Sequence, residues 1–116
     1  METKKFGASA ELFVGNHLAQ QGYTVLAQNY RQRCGEIDII AAKKGYLIFV
    51  EVKARKTDYF NLSELITRSK QQKIIKTARY YCARNTVFDK VIRFDVALVL
   101  DTNNGFDMTY IENAFV

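Results

Sequence analysis

Three charged residues stand in runs otherwise suited to burial. Asp38 lies in the apolar, β-branched segment 37–42, and Glu51 and Lys53 lie in segment 46–54, rich in Ile, Val, Phe and Tyr. Charged side chains are almost never fully buried unless paired, so their grouping needs a chemical reason. Both segments read as strands, joined at Lys43-Lys44-Gly45, which suits a hairpin turn. Alternation then points Glu51 and Lys53 to the same face. If Lys44-Gly45 is a two-residue turn, Lys43 pairs with Tyr46 and Asp38 falls directly opposite Glu51. A slip of one residue would separate the two onto opposite faces.

Like charges directly opposed across a sheet destabilise it. Two carboxylates held together in an apolar sheet therefore require a cation, either Lys53 or a divalent metal. Mg²⁺ is typically held by one or two carboxylates together with water and substrate phosphate oxygens. A lysine beside it can orient a nucleophile or neutralise charge at phosphorus. The competing reading is a structural ion-pair cluster of Asp38, Glu51 and Lys53 with no chemistry attached.

Other elements must position this group. Segment 7–21 reads as a helix with an apolar stripe of Ala8, Leu12, Gly15, Leu18 and Ala19, ended by Gly22. Glu11 flanks that stripe and reads, on spacing alone, as a solvated glutamate; His17 reads as a surface residue. A first strand spans 23–30. Arg31 and Arg33 follow it, either as phosphate contacts through their planar forks or as ordinary surface arginines. Glu36, two residues before Asp38, shares its face if the strand already runs there. Beyond Lys53, Arg55 and Lys56 begin a polar break at 57–61, where a basic rim and the aromatics Tyr59 and Phe60 would suit a nucleic-acid groove. Asn61 with Glu64 suggests a short helical turn, and Ser69 caps a long helix over 69–84. Its buried stripe is Gln71, Ile74, Ile75, Ala78 and Cys82, with Lys70, Lys73, Lys76 and Arg79 outside it, either following a phosphate backbone or simply solvated. A strand at 91–100 puts Arg93 and Asp95 on one face as a structural pair. Asn104-Gly105 turns the chain into a last strand at 106–112.

Taken in order, Gly35-Glu36-Ile37-Asp38, Phe49-Val50-Glu51-Val52-Lys53, Lys70-Gln71 and Arg93-Phe94-Asp95 resemble the YraN-like family of small bacterial proteins over nearly the whole chain. Asp38 with Glu51-Val52-Lys53 is similar to the D…(D/E)xK signature of the restriction-endonuclease-like superfamily, with Ile37 where a proline often stands. The resemblance implies a restriction-endonuclease-like α/β core, a mixed five-stranded sheet flanked by helices, akin to archaeal Holliday-junction resolvases. It also implies that Glu11 points toward the metal site as a further ligand or supporting group and that Gln71 reaches the active site; read without it, Gln71 is a hydrogen-bonded residue at the core edge. On this view Asp38, Glu51 and Glu11 hold Mg²⁺ or Mn²⁺, and Lys53 acts on the attacking water or the phosphate. Arg31, Arg33, Arg55 and Lys70 contact DNA, and a homodimer is expected by analogy.

The bulk properties are compatible with this. The 116 residues suit one domain with a single core, and 48% apolar residues argue against disorder. A net charge of +5 suits an anionic partner. Cys34 and Cys82 lack metal-type spacing and are expected as free thiols in a reducing cytoplasm. No secretory leader and no run of about 20 apolar residues is visible. Two functions are expected: a metal-dependent DNA endonuclease selective for branched DNA, or a nucleic-acid-binding protein without cleavage in a repair or uptake complex. No module that reads a 2′-hydroxyl separates DNA from RNA.

Overall fold

The computed structural model describes residues 2–56 and 65–116. The elements run α1 (Glu2–Gln20), β1 (Thr24–Gln32), β2 (Gly35–Lys43), β3 (Tyr46–Arg55), α2 (Arg68–Arg84), β4 (Val91–Thr102) and β5 (Gly105–Phe115). Among the described residues, the expected order of one helix, three strands, one helix and two strands is the observed one. The Asn61 cap, the turn near Ser63 and the aromatics Tyr59 and Phe60 lie outside the described residues. The five strands form one sheet in sequence order. All neighbours are antiparallel except β3 and β4, which are parallel and joined by the crossover that contains α2. This is the mixed α/β sheet expected, and it is compatible with a restriction-endonuclease-like core.

Alternation along β3 divides the core. Leu47 and Phe49 pack with Ile74 and Ala78 of α2, whereas Ile48 and Val50 pack with Ala10, Val14 and Leu18 of α1. Among the described residues, α1 therefore covers one face and α2 the other. The docked face of α1 is rotated from the one expected: Gly15 and Leu18 are buried as expected, but Ala8, Leu12 and Ala19 are exposed, and Ala10 and Val14 are buried in their place. Both stripes satisfy three- and four-residue spacing and share Leu18, so spacing alone does not choose between them; docking buries the branched Val14. The cap of α2 is also earlier than expected. Thr67, not Ser69, is the N-cap, its hydroxyl accepting from the Lys70 amide at 3.2 Å.

Gly35 allows α2 to approach the start of β2. A Cβ there would lie 3.0 Å from Thr77 Oγ1 and 3.3 Å from the Lys73 carbonyl oxygen, so a side chain would push the helix off the sheet. Thr77 is fully buried at this contact and donates to that same carbonyl.

Arg93 and Asp95 are paired, as expected, but in an interior strand. Asp95 is fully buried and takes Arg93 Nε, Arg93 Nη2, the Tyr110 hydroxyl and the Asn113 amide. Arg93 Nη2 also donates to the Tyr23 hydroxyl at 2.8 Å. Asn113 has a left-handed backbone (φ 54°) where the β4–β5 register shifts, so Asp95 satisfies the amide that this bulge frees. The network ties β4 to β5 and to the chain entering β1.

Candidate active site

The hairpin register is the expected one. Lys43 pairs with Tyr46, and the ladder runs to Ile39 opposite Val50. It ends one step before Asp38 and Glu51. Freed from the ladder at that point, the Val52 amide donates to Asp38 Oδ2 at 2.8 Å. Asp38 and Glu51 are both buried, and Glu51 continues the Leu47–Phe49 line toward α2. There its carboxylate lies between two ammonium groups, Lys53 Nζ at 3.4 Å and Lys70 Nζ at 3.2 Å. Lys70 comes from α2, the helix that Gly35 admits. These residues, with Glu11 and Lys73, line a cleft of about 300 Å³.

The electrostatics follow from burial and proximity. Burial, then the neighbouring Glu51, pushes the Asp38 carboxyl up to about 8, against the pull of the Val52 amide. Burial raises Glu11, opposed by the Asn29 amide and reinforced by Glu36 and Glu51. Burial, then Lys70, pushes Lys53 down, with Glu51 opposing. Lys70 is also pulled down by burial, but Lys53 and Glu51 carry it net upward. The two amines thus divide: Lys70 keeps its proton more firmly, and Lys53 gives its proton up more readily than a solvated lysine would.

The Asp38 shift predicts how stability depends on pH without metal. The folded state retains a proton that the unfolded chain releases above about pH 4, so stability falls as pH rises from there toward 8. The slope is at most about 1.4 kcal/mol per pH unit. Melting curves in chelator between pH 5 and 8 should show this decline. Asp38→Asn, which can still accept from Val52, should flatten it and be the more stable protein at pH 8. A parallel decline in both proteins would refute the assignment.

The donor set suits a hard cation. It offers carboxylate oxygens only, and among the described residues no group of three His, Cys, Asp or Glu side chains closes into a cage. Asp38 and Glu51 could hold Mg²⁺ or Mn²⁺ with water and phosphate oxygens in the remaining positions. Glu11 lines the same cleft but does not join them as a third close ligand, which narrows the role implied for it. Gln71 does not line the cleft; its amide donates to the Ile66 carbonyl at 3.2 Å. Lys70 takes the place expected of Gln71.

Of the arginines, only Arg31 reaches the edge of the cleft, through Glu36, which lines it and shares the Asp38 side as expected; Arg31 also opposes the burial-driven rise of Glu11. Arg31 pairs with Glu36, its cross-strand neighbour, Arg55 donates to the Ala54 carbonyl, and Arg33 is exposed in the β1–β2 turn. Sequence reasoning missed Asn29, whose left-handed backbone (φ 52°) is one that asparagine tolerates. It also missed the partnership of Lys70 with Glu51. Both cysteines are free thiols, as expected. Among the described residues no helix is long and apolar enough to cross a membrane.

A family model described as "Uncharacterised protein family UPF0102" matches residues 10–99. A UPF0102 protein of Clostridium acetobutylicum is 42% identical over 115 residues, covering 97% of this chain and 94% of the relative. One of Lachnoclostridium phytofermentans is 43% identical over 117 residues, covering 99% and 96%. One of Desulforapulum autotrophicum is 40% identical over 115 residues, covering 98% and 95%. The family resemblance read from the motifs and these whole-chain matches agree: the chain belongs to the UPF0102, or YraN-like, family.

Proposed function

We propose that this protein is a metal-dependent endonuclease acting on DNA in the cytoplasm. The observation that carries this reading is the cleft itself: two buried carboxylates on adjacent strands, where the ladder ends, beside a lysine whose proton is loosened. A fold gains no stability by burying Asp38 against Glu51, and a divalent cation offsets that cost. When bound, Mg²⁺ or Mn²⁺ would supply Lewis acidity toward the phosphate and a more acidic water. Asp38 and Glu51 hold the cation, with Asp38 fixed by the Val52 amide. Lys53 orients the attacking water or takes its proton. Lys70 leaves Glu51 for a phosphate oxygen when the carboxylate is otherwise engaged. Glu11 acts from the rim of the cleft.

The test is a cleavage assay on linear, single-stranded, flapped and four-way-junction DNA, with Mg²⁺, with Mn²⁺ and with chelator. Wild-type protein should cut at least one substrate only with metal, and Glu51→Ala should not cut. Mn²⁺ at pH 8 should also raise the melting temperature of wild-type protein but not of Glu51→Ala. A second reading, nucleic-acid binding without cleavage, is favoured by one feature: Glu51 already has two lysine partners. Binding with no cleavage on any substrate, and no thermal shift with metal, would establish it over the first.

A further inference from the structure

Helix α2 carries six basic residues, Arg68, Lys70, Lys73, Lys76, Arg79 and Arg84, and no acidic one. A solvated helix face normally interleaves opposite charges, because like charges three and four apart repel. Here the repulsion is uncompensated: among the described residues Lys73, Lys76 and Arg79 make no ion pair. Residues 70, 73, 76 and 79 form a ridge inclined about 45° to the helix axis, running about 14 Å along it.

Three depressions follow this ridge and share its residues. The active-site cleft contains Lys70 and Lys73. A groove of about 540 Å³ contains Lys73, Lys76 and Arg79. A third, of about 550 Å³, contains Arg79 and Lys90 on its rim, with Phe88 beside a floor of aliphatic and aromatic side chains. Phe88 is 83% exposed. One such residue alone would be unremarkable, but Ile92 and Val116 are exposed in the same groove.

We propose that these depressions form a single-strand track: phosphates follow Lys73, Lys76 and Arg79 away from the cleft, and an unpaired base stacks on Phe88. The inference deepens the nuclease reading and rests on it for direction, since the track leads out of that cleft. Charge complementarity selects the occupant. A two-fold contact through this groove would bury one basic rim against an identical basic rim, because the same patch serves both copies, whereas a nucleotide brings a π-face to the aromatic and an anion to the rim. The preferred substrate is accordingly DNA with an unpaired segment next to the cleavage point, rather than blunt duplex.

Fluorescence anisotropy in chelator tests this apart from cleavage, with labelled blunt duplex, 5′-tailed duplex and 3′-tailed duplex. Wild-type protein should bind one tailed duplex more tightly than the blunt one. Phe88→Ala should weaken tail binding about 5- to 100-fold and leave blunt-duplex binding unchanged, and Phe88→Trp should retain the tail preference. Replacing Lys73, Lys76 and Arg79 together by Ala should reduce the slope of log affinity against log salt by about 2 to 3. Unchanged tail binding in Phe88→Ala overturns the inference while leaving the nuclease reading standing. So does a change in sedimentation with no change in binding, which would make the groove an interface between copies. A tail preference lost in Phe88→Ala, in a protein that never cuts, upholds the track and removes the nuclease reading instead.

Discussion

Lys53→Ala is expected to lower single-turnover cleavage by about 10²- to 10³-fold, the usual cost of removing one preorganised electrostatic group from an active site. DNA affinity should barely change, because Lys53 is one ammonium among several and is largely buried against Glu51. Glu51 would still have Lys70 at 3.2 Å, so the protein should remain folded. Lys53→Arg should not restore the rate, since an arginine cannot give up its proton in this range. Measuring cleavage and melting temperature on the same preparations separates the alternatives. If Lys53 were only the counter-ion of a structural cluster, its loss would lower the melting temperature and leave any cleavage rate intact.

Asp95→Ala should destabilise the protein by about 3–5 kcal/mol, the cost of stranding one partner of a buried ion pair. Four groups lose their acceptor together: two nitrogens of Arg93, the Tyr110 hydroxyl and the Asn113 amide. Arg93 retains the Tyr23 hydroxyl, a 3.7 Å approach to Glu112 and the face of the Tyr46 ring, none of which replaces a buried carboxylate. Denaturant unfolding measures the loss. Pairing the change with Arg93→Met should recover part of it, because no buried charge is then left unpaired. Asp95 does not line the cleft, so protein that remains folded at low temperature should keep its activity. A loss under 1 kcal/mol would mean that water replaces the carboxylate.

The hairpin was legible because two local signals agree: Lys44-Gly45 demands a tight turn, and the turn dictates every pairing behind it. Lys44 does adopt the left-handed backbone, at φ 52°. Asp38, Glu51 and Lys53 were found for the same reason. Helix faces were less legible. Small residues such as Ala8, Ala10 and Ala19 contribute little to either of two competing stripes, so docking decides which one is buried. Lys70 could not be assigned from spacing, because a lysine on a helix surface reads as solvated until the partner strand is in place. Gln71 sits about 100° around the helix from Lys70, and that rotation turns it from the cleft to the Ile66 carbonyl. The contact at Gly35 joins residues more than 35 positions apart in sequence and leaves only a glycine to mark it.

The strand order bears on a chain still emerging from the ribosome. Everything up to β3 can assemble as a meander under α1, with both carboxylates and Lys53 already present. The outer edge of β3 then waits for β4, which can arrive only after the whole α2 crossover has been made. In that interval Leu47-Ile48-Phe49-Val50, fully covered in the finished sheet, forms an open, apolar edge of the kind that recruits foreign strands. The segment that builds the cleft is thus also an adhesive stretch of the nascent chain, and prompt docking of α2 and β4 protects both.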